Sequence, residues 1–458
     1  MRIANLNPDT DIGASAWWVE LEGHRLLLDA GVHPKWEGRE GLPLFDRIEE
    51  PDLDAIVISH CHHDHVGALP VAMRRFPDAQ VFMSELSYFL VERVLHNSVN
   101  VMLRRRQEMD IREYPLYTHR ELDEQAPLYQ AVRYEREIEW AGGRGSRRRG
   151  QAPTIELYDA GHVLGAAGVM VRGRDATLFY TGDVCFHDQT LLRGARFDDV
   201  RADVLLMETT RGDRAAVPGQ TRETESERLL AGIQRVLARG GNVLIPTFAL
   251  GRTQEILGQL ALWMQAGQLP EQPVYVGGLG RVFTEIYDVQ AHRANRRHTN
   301  LELGQALDLR VLERGPLAPA LAAGGQLFVL TAGMLTEKTA AHEVAAALLS
   351  DPRHGIFLVG YVDPDTPGGR LKESRPGEPF RLSDSAGEVV RECELEVFDL
   401  TAHAEREDLL ELVGVVSPEV VVLGHGNDAA RAWFAKAIRE RWPRIRIEQP
   451  GPGETVEI

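Results

Sequence analysis

The chain has 458 residues, of which 43% are hydrophobic, and a formal net charge of −17. This is enough apolar material for a large buried core, and the length exceeds what one core usually organises, so two domains are expected. The acidic balance excludes a protein that coats nucleic acid over its whole surface, which needs clustered cations, but leaves room for a local basic groove.

In chain order, the amino end carries no charged start followed by an apolar stretch, and no later segment is long enough and apolar enough to span a bilayer. A soluble, cytoplasmic protein with no membrane partner is expected. Trp17–Glu22, a turn at Gly23-His24, and Arg25–Asp29 form a hairpin-like pair of strands, the second ending at Asp29-Ala30-Gly31. The apolar run Leu53–Ser59 then delivers His60-Cys61-His62-His63-Asp64-His65, an HxHxDH pattern. Neutral imidazoles and a carboxylate held in one turn suit a borderline cation such as zinc. Alternate residues can face one ion while the Asp-His pair reaches a second, and Cys61 and His63 need not be ligands. The cysteines, Cys61, Cys185 and Cys393, are scattered without a CxxC pair, which implies neither a disulfide framework nor a thiolate zinc site.

Arg104-Arg105-Arg106, Arg147-Arg148-Arg149 and the stretch Arg293–His298 are the basic clusters, read as solvated faces, with Gly142–Gly150 as a hairpin loop. Strands follow at Thr154–Leu157, Gly168–Val171 and Thr177–Thr181, with His162 and Asp183 in the turns between and after them. From about residue 220 helices and buried strands alternate. A capping-box-like Thr224-x-x-Glu227 opens a helix carrying Leu229, Leu230, Ile233, Val236 and Leu237, Gly240-Gly241 stops it, and Asn242–Pro246 is a strand. The alternation recurs through Gln254–Met264 into Pro273–Val276 and Ala340–Leu349 into Ile356–Tyr361, which predicts a parallel α/β layer. Short strands return at Leu395–Leu400 and Val420–Leu423 around one helix, with His425 just after the last.

The order Asp29, HxHxDH, His162, Asp183 resembles the metallo-β-lactamase superfamily. The continuation is similar to its β-CASP branch of RNA-processing nucleases, which includes the pre-mRNA 3′-end cleavage endonuclease and ribonuclease J. Glu208-Thr-Thr-Arg-Gly-Asp-Arg214, the block Gly240–Glu255, Thr331–Leu335, Val359–Leu371, His403 and His425 carry that resemblance. It implies an α/β fold, a metallo-β-lactamase αββα sandwich built from residues 1–208 and 396–458, with a Rossmann-like parallel α/β lid domain inserted at 209–395. It further implies that His60, His62 and His162 hold one zinc and Asp64, His65 and His425 another, Asp183 bridging the two, with manganese as the alternative cation. Asp29 would orient ligands, and His403, positioned by Glu208, would be the general acid; with Asp29 and Asp64 these make up the catalytic set.

The implied activity is zinc-dependent hydrolysis of single-stranded RNA by a metal-activated hydroxide, endonucleolytic or exonucleolytic, with Arg252 and Arg370 as phosphate contacts and a homodimer left open. A small-ester or thioester hydrolase, and a non-catalytic RNA-binding subunit, are the alternatives. The chain departs from the branch at Arg211, where Tyr is common, at Thr336-Glu337-Lys338 and at Gly277–Arg281.

Overall fold

The computed structural model describes residues 1–48, 53–140, 153–312 and 318–458, so the Gly142–Gly150 tract and its arginines lie outside the described residues. The chain forms two compact units. One comprises Met1–Asp188, Arg193–Ala216 and His403–Ile458, the other Gln189–Leu192 and Val217–Ala402.

In the first unit, the described residues form two seven-stranded sheets. The first runs, in spatial order, Thr455–Glu457, Arg2–Asn5, Trp17–Leu21, His24–Leu28, Ala55–Ile58, Gln80–Ser84 and Tyr129–Val132. The second runs Arg446–Glu448, Val420–Gly424, Val204–Glu208, Thr177–Tyr180, Ala167–Arg172, Thr154–Asp159 and Ile138–Glu139. Side chains alternate across a strand, so a strand buried on both faces reads as an unbroken apolar run. Val204 and Leu206, like Val420 and Val422, join Ile3, Val19, Leu26 and Val57 in the core between the sheets. Their neighbours Leu205, Met207, Val421 and Leu423 point the other way, into a second core with Leu409, Leu412, Phe434 and Ile438 of helices Arg406–Val416 and Asp428–Arg441. Helix Glu85–Met109 packs on strands Gln80–Ser84 and Tyr129–Val132 of the first sheet. The layers are therefore αββα, as the resemblance implied.

The first hairpin pairs Leu21 with His24, so its turn residues are Glu22 and Gly23, both at positive φ (55° and 80°), rather than Gly23-His24. A two-residue loop with both residues left-handed matches the natural twist of paired strands.

The second unit holds a six-stranded, all-parallel sheet in the order Leu309–Val311, Val274–Val276, Leu327–Thr331, Val243–Thr247, Gly355–Val359 and Glu394–Phe398. Leu244, Phe328, Leu330, Ile356 and Leu358 pack on Ala341, Val344, Ala345 and Leu348 of helix Ala340–Leu348. The first helix of this unit, Arg222–Ala238, starts ahead of the expected Thr224-Glu227 box. Thr221 is its N-cap, and the Thr221 and Thr224 hydroxyls accept from each other's backbone N–H. The strand near residue 395 also differs from expectation. Glu394–Phe398 pairs with Gly355–Val359 inside the parallel sheet, so the chain returns to the first unit at His403, some residues beyond the expected 395/396 division. The earlier changeover, at 216/217, likewise lies past 208/209.

Candidate metal centre

The cluster is assembled at strand ends. His24–Leu28, Ala55–Ile58 and Gln80–Ser84 are mutually parallel, and so are Thr177–Tyr180, Val204–Glu208 and Val420–Gly424. Parallel strands bring their carboxyl ends to the same edge, where loops can converge on a ligand. Asp29 follows the first strand, the HxHxDH loop the second, Asp183 the fourth, Glu208 closes the fifth and His425 follows the sixth. His162 comes from the turn between Thr154–Asp159 and Ala167–Arg172, and His403 from the turn ahead of helix Arg406–Val416. Asp29 and His425 adopt left-handed φ values of 63° and 48°, a conformation rare for residues other than glycine that tends to mark functional positions.

Two groups of donors result: His60, His62, His162 and Asp183, and Asp64, His65 and His425, with the donor atoms of each group within 4.8 Å of one another. Asp183 faces both. Its Oδ2 lies 3.7 Å from Nε2 of His60 and 3.7 Å from Nε2 of His162. Its Oδ1 lies 3.4 Å from Nε2 of His65 and 3.4 Å from Nε2 of His425. The Asp64 Oδ2 atom stands 4.0 Å from His65 Nε2 and 3.9 Å from His425 Nε2, while His62 Nδ1 and His162 Nε2 are 3.1 Å apart. Most of these separations are too long for hydrogen bonds. They fit donors sharing an ion, since ligands at ordinary zinc distances on a tetrahedron lie about 3.3–3.5 Å apart. The buried atoms His60 Nε2, His65 Nε2 and Asp183 Oδ1 have no hydrogen-bond partner and are turned into this space, so the residues present fit a cation pair.

Charge is arranged to match. Burial and the neighbouring His65 push the His60 pKa well below its ordinary value, leaving a neutral donor. Burial opposes the Asp183 carboxylate, yet His425, His65 and His403 around it hold its pKa well below the usual range. Asp64 is lowered in the same way, burial being outweighed by His65 and His425. For His65 burial is likewise outweighed, by Asp183 and Asp29, and its pKa is raised well above the ordinary value, so cation binding must displace its proton.

Asp29 sets the tautomer of His65. Its Oδ2 accepts from His65 Nδ1 at 2.7 Å, Tyr180 OH at 2.7 Å and Ser59 Oγ at 2.7 Å, and its Oδ1 accepts from Ser59 N–H at 2.6 Å. With Nδ1 engaged, Nε2 is left to face the cluster. Ser59 and Tyr180 belong to this shell and were not singled out from sequence. Ser59 adjoins the histidine loop and Tyr180 precedes Thr181-Gly182-Asp183, which is the signal that could have drawn attention to them.

A third group, Asp183, Glu208 and His403, adjoins the first. Glu208 accepts from Val184 N–H through Oε1 at 2.7 Å and lies 3.2 Å from His403 Nδ1 through Oε2. Burial would lower the His403 pKa, but Glu208, Asp183 and Asp64 raise it above the ordinary imidazole value. Arg252 and Arg370 belong to the second unit, where Arg252 Nη2 donates to Gln189 Oε1 at 2.9 Å and Arg370 Nη1 to Asp384 Oδ1 at 3.0 Å.

Three family models match the chain: the metallo-beta-lactamase superfamily over residues 9–219, the Beta-Casp domain over 253–371, and the Zn-dependent metallo-hydrolase RNA specificity domain over 388–447. Among curated relatives, a ribonuclease of Thermus thermophilus is 29% identical over 100% of both chains. A probable RNase of Methanocaldococcus jannaschii is 28% identical over 91% of each. Cleavage and polyadenylation specificity factor subunit 3 of Dictyostelium discoideum is 27% identical over 100% of this chain but 57% of its own length, so this chain spans little more than half of that relative. A crystal structure of an Enterococcus faecalis protein of unknown function aligns with a TM-score of 0.60 over 100% of this chain and 99% of that one at 13% identity, a likeness of fold. The chain thus belongs to the metallo-β-lactamase superfamily, in the branch that joins that fold to a Beta-Casp domain and an RNA specificity domain.

Proposed function

We propose that the protein is a zinc-dependent ribonuclease that hydrolyses phosphodiester bonds of single-stranded RNA. The observation that carries this reading is the position of Asp183, one oxygen toward each of two histidine-rich groups, beside the Glu208–His403 pair. The RNA specificity match and relatives described as ribonucleases support RNA as the substrate. In this reading His60, His62 and His162 hold one cation, Asp64, His65 and His425 the other, and Asp183 serves both. Bound there, a divalent pair supplies Lewis acidity, making water nucleophilic near neutral pH and neutralising phosphodiester oxygens.

The protein's own groups supply the rest. Asp29 keeps His65 in the tautomer that coordinates. Glu208 engages His403 at Nδ1, so His403 carries the proton for the leaving oxygen at Nε2. An alkoxide leaves poorly, and general-acid help of this kind contributes about 10²–10⁴-fold. Arg252 and Arg370 are proposed phosphate contacts, to be judged by whether neutralising them reduces the salt dependence of RNA binding.

The test is incubation of zinc-loaded protein with end-labelled RNA and DNA single strands of one sequence, resolving products by length. RNA-selective cleavage that disappears in His403→Ala with zinc retained is the expected result, and product lengths distinguish internal cutting from trimming. Intact RNA with both cations bound would overturn the reading and favour an ester hydrolase.

A further inference from the structure

His403 lies outside any helix or strand, in a turn whose Ala404 is buried in the core. The chain leaves the first unit after Ala216 and re-enters it at His403, and the next helix starts only at Arg406. Besides that packing, a set of ties joins the turn to its neighbours. Ala404 N–H donates to Val184 C=O at 2.6 Å. Asp408 accepts from Glu405 N–H at 3.2 Å and meets His187 Nε2 at 2.9 Å. Val184 and His187 both follow Asp183, so these ties fix the turn to the Asp183 loop.

A separate tie runs to the segment that carries Glu208. The Arg211 guanidinium meets the Glu405 carboxylate twice, Nε to Oε2 at 3.2 Å and Nη2 to Oε1 at 3.0 Å, with side-chain exposures of 11% and 22%. A planar fork on a planar carboxylate fixes direction as well as distance, which a single ammonium contact does not. Arg211 follows Glu208 by three residues and Glu405 follows His403 by two. The fork therefore spans the two segments whose side chains make the 3.2 Å contact between His403 Nδ1 and Glu208 Oε2. Partial shielding from water lets such a pair hold its geometry where an exposed one would not.

We propose that Arg211 and Glu405 are positioning residues for His403, a clasp that sets where the proton donor stands relative to Glu208; the proposal rests on the role given to His403 above. The clasp touches no reacting atom. Losing it leaves the metal ligands in place and lets the donor swing, and small misplacement of a catalytic group costs rate out of proportion to the displacement.

The test uses the full-length, zinc-loaded chain carrying Arg211→Ala, Arg211→Lys or His403→Ala, and the Arg211→Ala/His403→Ala double variant. Arg211→Ala should lower kcat on single-stranded RNA by about 10- to 100-fold, with KM little changed and zinc content intact. Arg211→Lys, which keeps the charge and loses the fork, should fall between. In the His403→Ala background the Arg211 substitution should cost nothing more, because its effect passes through the missing imidazole. Multiplicative losses, or a raised KM with kcat preserved, would overturn the proposal. A second readout needs no RNA: by hydrogen exchange, the peptide containing residues 401–408 should exchange faster in Arg211→Ala while the 60–66 loop does not. Unchanged exchange overturns the clasp. Should the wild type leave RNA uncut, the proposed function falls, and the exchange result still decides whether the fork holds the turn.

Discussion

Asp29 gathers four donors on two oxygens in a fully buried site, and the His65 Nδ1 contact is the one that matters for chemistry. Asp29→Asn keeps the shape but offers an N–H where His65 needs an acceptor. Zinc affinity at the group containing His65 should fall about 10- to 100-fold, readable by competition with a chromophoric chelator; unchanged affinity would remove Asp29 from the metal site. Glu208 has a comparable influence on His403, expressed in pH. With its pKa raised, His403 keeps its proton to higher pH and loses it as pH climbs through that value. Removing the Glu208 charge takes away the first of the influences that oppose burial and leaves only Asp183 and Asp64, so Glu208→Gln should move the alkaline limb of kcat/KM to lower pH. A limb that stays in place would show that another group sets it. The HxHxDH loop was legible because such a pattern after an apolar run has few other uses, whereas Asp29, His162, Asp183 and His425, each unremarkable alone, were picked out by their strand-end placement and by the resemblance. Ser59, Tyr180 and the Arg211–Glu405 fork were not, since pairing between distant segments depends on side-chain directions that no local pattern encodes.

At the level of loops and strands, the precision of the site comes from backbone touching backbone. The segment after Asp29 is hydrogen-bonded to the histidine loop by Ala30 N–H to His65 C=O at 2.8 Å and Val32 N–H to His63 C=O at 3.0 Å. Between them, a Cβ on Gly31 would come within 1.7 Å of the Asp64 carbonyl oxygen, and no side-chain rotation relieves a clash with backbone. Gly31→Ala should therefore cost about 1–3 kcal/mol or more by thermal unfolding, with loss of bound zinc, as the two loops are forced apart. Normal stability with full zinc would mean the loops are more pliant than their hydrogen bonds suggest. Val420–Gly424, buried on both faces, could be read from its unbroken apolar run, whereas Val204–Glu208, buried in the same way, was not among the strands read from the sequence. Glu394–Phe398 misled because its alternating polar residues are those of an edge strand, and which sheet an edge strand joins is decided by its neighbours. The capping box misled by one helical turn, since Thr221 and Thr224 are both competent caps and hydrogen bonding selects between them.

Across the first unit as a whole, the candidate ligands come from both sheets: Asp64 and His65 beside the first, Asp183 and His425 beside the second. Cations held between them would bind the native arrangement and not the unfolded chain, so each occupied site would stabilise the fold by about 4 kcal/mol when free metal exceeds its Kd a thousandfold. Stripping zinc with a chelator should lower the melting temperature of the transition that includes this unit, and readdition should restore it; a melting temperature indifferent to zinc would mean the cations bind without spanning the sheets. The change in hydrophobic periodicity near residue 220 lies close to the 216/217 changeover between the two units, whereas the return point at His403 was hidden by a strand belonging to the inserted sheet.

The order in which the cluster is completed has a consequence for the cell that makes the protein. Translation delivers His60, His62, Asp64 and His65 first, and the inserted unit must then be synthesised before His403 and His425 emerge. A nascent or prematurely terminated chain that has not reached His425 lacks a donor of the second group and, short of His403, a member of the third group as well. The second donor group therefore stays incomplete, whatever metal is present, until the whole of the inserted unit has been synthesised.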